Sequence, residues 1–103
     1  SFDTNTAQRW FKERGIRIQM IDMKEKGMSR GEFDNVCRAV GGWAKLVDEN
    51  AKDKDTLALL KWLDESQPAD KLFENQQLFR PPIVRNGRQA TVGYCPEVWE
   101  KWE

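Results

Sequence analysis

The 103 residues of this chain include no histidine, so any general acid or base must be a carboxylate, a lysine, a tyrosine or a thiol. The absence of histidine excludes Ser-His-Asp and Cys-His nucleophile pairs and histidine metal sites. Cys37 and Cys95 are too few for a structural zinc site, so no metal site is predicted. The two thiols could form one disulfide, but nothing near the start of the chain indicates secretion, which favours two free thiols.

The two cysteines differ in their predicted surroundings. Cys37 falls on the apolar face of a predicted helix, which favours a buried core thiol over a redox role. Cys95 directly precedes Pro96, the predicted first residue of the last helix, and a helix N-terminus can lower the pKa of a thiol. Cys95 is therefore the candidate reactive thiol, although a small capping residue is the favoured interpretation.

Basic side chains could line a groove for an anion. Arg80, Arg85 and Arg88 surround a predicted hairpin, and Arg9 and Lys12 lie on the first predicted helix. Arg85 and Arg88 flank the hairpin tip, where solvated charges are ordinary. The chain has 17 acidic and 17 basic residues and a formal net charge of zero. This balance argues against a basic nucleic-acid-binding surface, and no direct nucleic-acid binding is expected.

Length and composition indicate one folded domain, which we expect to span residues 1–103. Five tryptophans add apolar area to the candidate core. No stretch approaches the roughly 18 apolar residues of a membrane span, and no apolar segment typical of a signal peptide lies near the start. We therefore expect a cytoplasmic protein that does not bind a membrane.

Apolar spacing, capping residues and turn residues predict the elements of the fold. In chain order they are a helix over 4–14, a strand over 16–22, a helix over 30–40, a helical turn at 43–47, a helix over 55–65, a helix opening at 68–70, a hairpin over 82–92 and a helix from Pro96. Ser29 to Glu32 forms a capping box. Asn86-Gly87 is a strong hairpin signal, because a type I′ turn needs positive φ at both central residues.

The tryptophans are predicted to serve mainly as core residues. Trp10 and Trp62 lie on the apolar faces of predicted helices. Trp99 and Trp102 lie close to the C-terminus, where we expect them to be partly exposed and to form a contact patch.

The strand predicted over 16–22 needs a partner in a sheet, so the predicted order implies one more strand. A parallel partner ahead of the first helix would complete a strand–helix–strand unit with a right-handed crossover. With that strand restored, the order is that of thioredoxin-like proteins, and the motifs resemble those of the arsenate reductase/Spx family. The motifs are Arg14-Gly15-Ile16 leading to Ile21-Asp22, Ser29 to Glu32, Arg80-Pro81-Pro82-Ile83-Val84, Val92-Gly93-Tyr94 and Pro96-Glu97-Val98-Trp99.

This resemblance covers essentially the whole chain and implies its fold class. The implied fold is α/β and thioredoxin-like, with a mixed sheet of about four strands flanked by helices. The first strand is absent from the given chain, and the resemblance implies that about ten residues, mostly that strand, precede Ser1.

The resemblance also implies where the site would lie. The nucleophilic cysteine of the family falls on Ser1, and the partner cysteine of Spx-type members falls on Thr4. Pro82 matches the proline that is usually cis and faces the active site in thioredoxin-like proteins, so Pro81 and Pro82 are the predicted groove. The arginine that precedes the family proline falls on Pro81, and Arg80 lies one residue upstream. In an extended segment that shift turns the side chain to the other face.

Two further arginines of the family are also missing from their positions. One aligns near Tyr94 and the other near Asp48, within a charged segment over 48–55 that we interpret as a solvated loop. The family reaction needs thiolate attack on arsenate, arginines that hold the anion and a second thiol, often from glutathione. A serine at position 1 stays protonated without a neighbouring base. The sequence therefore argues against arsenate reductase activity.

Two functions of different kinds follow from the resemblance. The first is a bacterial-type binding or regulatory relative of the arsenate reductase/Spx family, with a protein partner suggested by analogy to Spx-like members. The alternative is a glutathione- or thiol-linked reductase whose cysteine is mutated at Ser1 or lies just upstream. No cofactor is expected, and glutathione is the candidate co-substrate of the alternative. A purely structural domain is a third interpretation.

Overall fold

The computed structural model of the chain describes residues 2–21 and 26–102. Five helices, two single 3₁₀ turns and three strands follow one another within this part of the chain. In order they are α1 (Phe2–Arg14), β1 (Gln19–Met20), α2 (Arg30–Val40), the Trp43 turn (Trp43–Leu46), α3 (Lys54–Leu60), α4 (Gln67–Glu74), the Gln76 turn (Gln76–Leu78), β2 (Ile83–Asn86), β3 (Gln89–Val92) and α5 (Pro96–Trp99). The predicted α/β class is confirmed.

The sheet has three strands and no parallel pair among the described residues. Its three strands are antiparallel in the order β1-β2-β3. Gln19 of β1 lies opposite Arg85 of β2, and Met20 lies opposite Val84. Within the expected strand over 16–22, β1 covers Gln19–Met20, and the Ile21 N–H also donates to the Ile83 carbonyl of β2 at 3.0 Å. The prediction of about four strands, with the first absent from the given chain, leaves three strands here, and three are present in the described part of the chain, so the predicted α/β, thioredoxin-like class is confirmed.

Local capping signals position α2 as predicted. The Ser29 hydroxyl accepts a hydrogen bond from the Glu32 N–H at 3.2 Å, and the Ser29 N–H donates to the Glu32 carboxylate at 2.9 Å. Gly41 ends the helix with φ 98°, a left-handed conformation that glycine adopts without strain. The predicted helix over 30–40 is therefore confirmed at both ends.

The hairpin lies where it is predicted, but its turn is shifted by one residue. Asn86 pairs with Gln89, so Gly87 and Arg88 are the two loop residues. Gly87 has φ 62°, whereas Arg88 does not have a positive φ. Positive φ at the first loop residue alone is typical of a type II′ turn rather than the predicted type I′ turn.

Two apolar clusters lie on opposite faces of the sheet. Ile83 belongs to the first cluster and Val84 to the second, and successive strand residues face opposite sides. The first cluster joins the sheet to α2, α3, α4 and both 3₁₀ turns. The second joins the sheet to α1 and α5, and its buried members are Ala7, Trp10, Phe11, Val84, Trp99 and Trp102.

The tryptophans are placed differently from the prediction in three of four cases. Trp10 is buried as predicted. Trp99 and Trp102 are also buried rather than partly exposed, because α5 packs its aromatic residues in the second cluster. Trp62 is 83% exposed rather than part of the core. The predicted helix over 55–65 ends at Leu60 as α3, so the helical phase that would turn Trp62 inward does not continue.

Candidate functional site

A groove lies between the N-terminal half of α1 and the segment that leads into β2. Thr4 and Gln8 of α1 line a cavity of about 700 Å³ together with Pro81 and Pro82. Its other apolar lining includes Met20, Ile21 and Phe79, and its other polar lining includes Asp48, Asn50, Lys52, Gln76 and Gln77. The resemblance predicts that Thr4 and Pro82 belong to one site, and in the structure both line the same cavity.

A second cavity, of about 570 Å³, adjoins the first. We call the first the inner cavity and the second the outer cavity. The outer cavity shares Asp48, Asn50 and Pro81 with the inner cavity. Its further lining residues are Asp3, Val47, Glu49 and Arg80. We refer to the two adjoining cavities as the Pro81 groove.

The backbone at Pro81 is left with one hydrogen-bonding group. The Pro81-Pro82 peptide bond is cis, as the resemblance implies. The Arg80 N–H donates to the Leu46 carbonyl at 2.8 Å, and the Pro82 carbonyl accepts from the Gly93 N–H at 2.9 Å. Pro81 has no N–H, and within the described residues no group donates to its carbonyl. The groove can therefore accept, but not donate, a main-chain hydrogen bond at Pro81.

Arg80 is one of the residues that line the outer cavity, and its side chain extends over Gly93. It shares this lining with Asp3 and Asp48. Its guanidinium lies across Gly93, where an added Cβ atom would be 3.0–3.3 Å from the Arg80 side chain. The absence of a side chain at Gly93 leaves room for the Arg80 guanidinium.

The other predicted anion-binding residues are not brought to the groove. Arg85 donates to the side chains of Gln19 at 2.7 Å, Glu32 at 3.3 Å and Asn35 at 3.0 Å. These contacts join β1, β2 and α2, so the Arg85 side chain has a structural role. Arg88 lies exposed at the hairpin tip, and Arg9 and Lys12 are exposed residues of α1 outside the groove lining. The predicted cluster of five cations is not formed.

The Glu32 carboxylate of this network gives a testable pH dependence. The Ser29 N–H is the largest cause that lowers the pKa of Glu32 below its ordinary value, and the Gln19 amide and Arg85 lower it further. A lowered pKa in the folded state adds stability that is complete above the ordinary pKa of about 4.3 and is lost as pH falls through the folded value. Glu32→Gln is expected to destabilise the protein by less than about 1 kcal/mol at pH 7. Urea unfolding should show a smaller difference at about pH 3, and an equal difference at both pH values would contradict this assignment.

Neither cysteine contributes to the groove. Both thiols are free, as predicted. Cys37 packs against the first cluster, and burial raises its pKa. The Cys95 thiol lies 3.4 Å from the Val92 carbonyl oxygen, and burial raises its pKa, with Glu97 raising it further. Cys95 is the N-cap residue of α5, a helix of only four residues, and its assignment as the candidate reactive thiol stays a prediction.

The predicted nucleophile position, Ser1, lies outside the described residues. Asp48 and Glu49, interpreted from sequence as part of a solvated loop, lie in a loop that lines the groove, and Glu49 is exposed. The one sequence signal for this placement is the alignment of a family arginine near Asp48. No comparable signal indicates Gln76, whose position depends on a contact with distant Met28.

The fold and the groove beside a cis proline define a thioredoxin-like α/β protein. The family model of the ArsC family matches residues 5–102, and the chain belongs to that family. The resemblance to the arsenate reductase/Spx family is thereby confirmed.

A solved structure that is similar to this chain has the same fold. It is the crystal structure of an ArsC family related protein from Bacteroides fragilis, which aligns with a TM-score of 0.82 at 22% sequence identity. The alignment covers 100% of this chain and 92% of that chain, and at this identity it shows the fold alone. No curated protein matches the chain at a significant level. Within the described part of the chain, no helix has the length and apolar character needed to cross a membrane.

Proposed function

We propose that this protein is a binding member of the ArsC family without arsenate reductase activity, and that the Pro81 groove is its binding surface. One observation carries the proposal: none of the described residues that line the groove is a cysteine. Both thiols lie elsewhere, and burial raises the pKa of each. Thiolate attack on an oxyanion needs a thiolate at the anion, because the thiolate is the nucleophilic form.

The charges of the groove also disfavour arsenate. Asp3, Asp48 and Glu49 line it, and the cations among its described lining residues are Arg80 and Lys52. Carboxylates repel an oxyanion, whereas arginine clamps stabilise it. The groove is therefore suited to a different ligand from the one that reductases of the family hold.

A cytoplasmic protein partner is the ligand that we propose for this groove. Its two cavities are together large enough for several side chains, and both apolar and amide side chains line them. The free carbonyl of Pro81 offers a main-chain hydrogen bond to an extended segment. The zero formal net charge argues against direct nucleic-acid binding.

A second candidate is a glutathione- or thiol-linked reductase of the same family. It is favoured by Thr4, the partner-cysteine position, which lines the same cavity as Pro82. This candidate requires a cysteine at position 1 or just upstream, with glutathione as co-substrate. It predicts that restoring the thiol restores turnover.

An arsenate reduction assay tests the proposal. The 103-residue chain, its Ser1→Cys variant and a Cys95→Ser control are incubated with arsenate, glutathione and a glutaredoxin-coupled NADPH system. We expect no rate above buffer for any of them, even when a thiol is restored, because Arg80 is the one arginine among the described lining residues and shares the groove with three carboxylates. Turnover by the unaltered chain would contradict the proposal, and turnover by Ser1→Cys alone would favour the second candidate.

A further inference from the structure

We propose that the Pro81 groove binds an extended polypeptide segment that carries a lysine or arginine next to an apolar side chain. This inference rests on the proposed binding function and adds the chemistry of the partner. It follows from three features of the groove: its main-chain hydrogen-bonding capacity, its carboxylates and its apolar floor.

At Pro81 the main chain favours a ligand that donates a hydrogen bond. Pro81 lacks an N–H, and the N–H groups of Arg80 and Gly93 are already bonded to Leu46 and Pro82. The Pro81 carbonyl is the acceptor left without a donor among the described groups. An extended peptide can supply the donor from its own N–H, whereas a ligand with only acceptors cannot.

The carboxylates favour a positive charge on that peptide. Asp48 accepts the Asn50 N–H through one oxygen at 2.9 Å, which leaves its second oxygen for a ligand. Across the described residues, no ion pair within 4.0 Å joins Arg80 to Asp3, Asp48 or Glu49. These carboxylates are therefore not neutralised by the nearest cation of the groove, and a lysine or arginine of the partner would complement them.

The floor of the groove favours an apolar neighbour to that charge. Met20, Ile21 and Phe79 line the inner cavity beside Pro82. Side chains of an extended segment alternate between two sides, so one residue can meet the floor while the next reaches the carboxylates. Arg80 and Lys52 also line the groove and would repel a run of cations. A single basic residue flanked by apolar ones therefore suits the groove better than a polybasic segment.

Three matched peptides test this inference on the whole chain. Fluorescein-labelled, acetylated and amidated octapeptides carry the same apolar residues and differ at one central position, which is lysine, glutamine or glutamate. Fluorescence anisotropy at physiological ionic strength measures their binding. We expect the lysine peptide to bind about threefold more tightly than the glutamine peptide, and the glutamate peptide to bind most weakly.

Substitutions in the groove test whether the preference for the lysine peptide arises there. Asp48→Asn keeps the oxygen that accepts the Asn50 N–H and removes the charge. We expect it to weaken the lysine peptide about threefold and to leave the glutamine peptide unchanged. Asp3→Asn is a second variant with the same expected direction, and Glu100→Gln, an exposed carboxylate outside the groove lining, is the matched control.

The possible results separate this inference from the proposed function. Equal binding of the three peptides, or a preference for glutamate, would overturn the partner chemistry and leave a binding function in place. A lysine preference that neither Asp48→Asn nor Asp3→Asn reduces would overturn the groove as its location. No binding by any peptide would overturn the inference, while the arsenate assay decides separately whether the protein is catalytic.

Discussion

Replacing Trp99 with alanine is expected to lower the free energy of unfolding by about 3–5 kcal/mol. Its indole is 0% exposed and lies 5.4 Å from the Trp10 ring and 4.6 Å from the Phe11 ring, between centroids. Its Nε1–H donates to the Thr91 hydroxyl at 2.7 Å. The substitution opens a cavity at the centre of the second cluster and removes the partner of a buried hydroxyl. Urea unfolding followed by far-UV circular dichroism measures the loss.

Two further variants test whether the loss of stability comes from the buried position of Trp99 and from its hydrogen bond. Trp62→Ala removes the same side chain from a position that is 83% exposed, and its expected effect lies within about 0.5 kcal/mol. Trp99→Phe keeps an aromatic ring in the cluster and loses the hydrogen bond to Thr91. Its loss in free energy of unfolding should therefore be smaller than that of Trp99→Ala and larger than that of Trp62→Ala. If Trp99→Ala and Trp62→Ala destabilise the protein equally, α5 does not pack against α1 as described.

The contrast between these two tryptophans shows why spacing alone assigns them wrongly. Periodicity places Trp62 in the core only if the helix continues past Leu60, and α3 ends there. Lys61 and Trp62 instead donate to the carbonyls of Ala58 and Leu59, the tighter pattern of a closing turn. Trp99 lies in a helix of four residues, too short to show a periodic face, and long-range packing against α1 buries it.

Features governed by neighbouring residues are predicted well. The Ser29 capping box and Gly41 define both ends of α2 because each acts within one helical turn. The hairpin is found from a turn signal, although the loop residues are Gly87 and Arg88. The partner of β1 is not predictable in the same way, because the pairing of Gln19 with Arg85 joins positions that are distant in the chain.

The residues of the candidate site also fall into two groups: those that motifs along the chain predict and those that only long-range contacts place. Thr4, Pro81 and Pro82 are found through motifs that keep their order along the chain, and they line one cavity. The carboxylate of Asp48 enters the groove because its segment lies against the Gln76 turn, where the Asp48 N–H donates to the Leu78 carbonyl at 2.8 Å. No local pattern records that contact, so the acidic character of the groove emerges only from the fold.

Gln76→Ala is expected to lower the free energy of unfolding by about 2 kcal/mol, because the Gln76 amide holds both main-chain groups of Met28. Its Oε1 accepts the Met28 N–H at 2.8 Å, and its Nε2–H donates to the Met28 carbonyl at 3.0 Å. Met28 is only 4% exposed, so both groups would lose their partner in a largely dry environment. Gln76 is itself partly exposed and lines the Pro81 groove, so water can replace part of the loss.

The neighbouring glutamine supplies the control for this prediction. Gln77 is exposed, and its amide bonds to the side chains of Asp53 at 3.2 Å and Asn75 at 3.3 Å. Gln77→Ala should therefore change the free energy of unfolding by less than about 0.5 kcal/mol. Gln76→Glu keeps the acceptor for the Met28 N–H and loses the donor to its carbonyl, so an intermediate loss is expected.

Hydrogen exchange separates the Gln76 clamp from a general loss of stability. The clamp joins the start of α2 to the groove wall, so its removal should open this junction locally. In Gln76→Ala the Met28 amide is expected to exchange faster by a larger factor than the amides of Ile83 and Val84 in β2. A uniform acceleration of all three amides would mean that Gln76 adds only to global stability and does not hold the groove wall against α2.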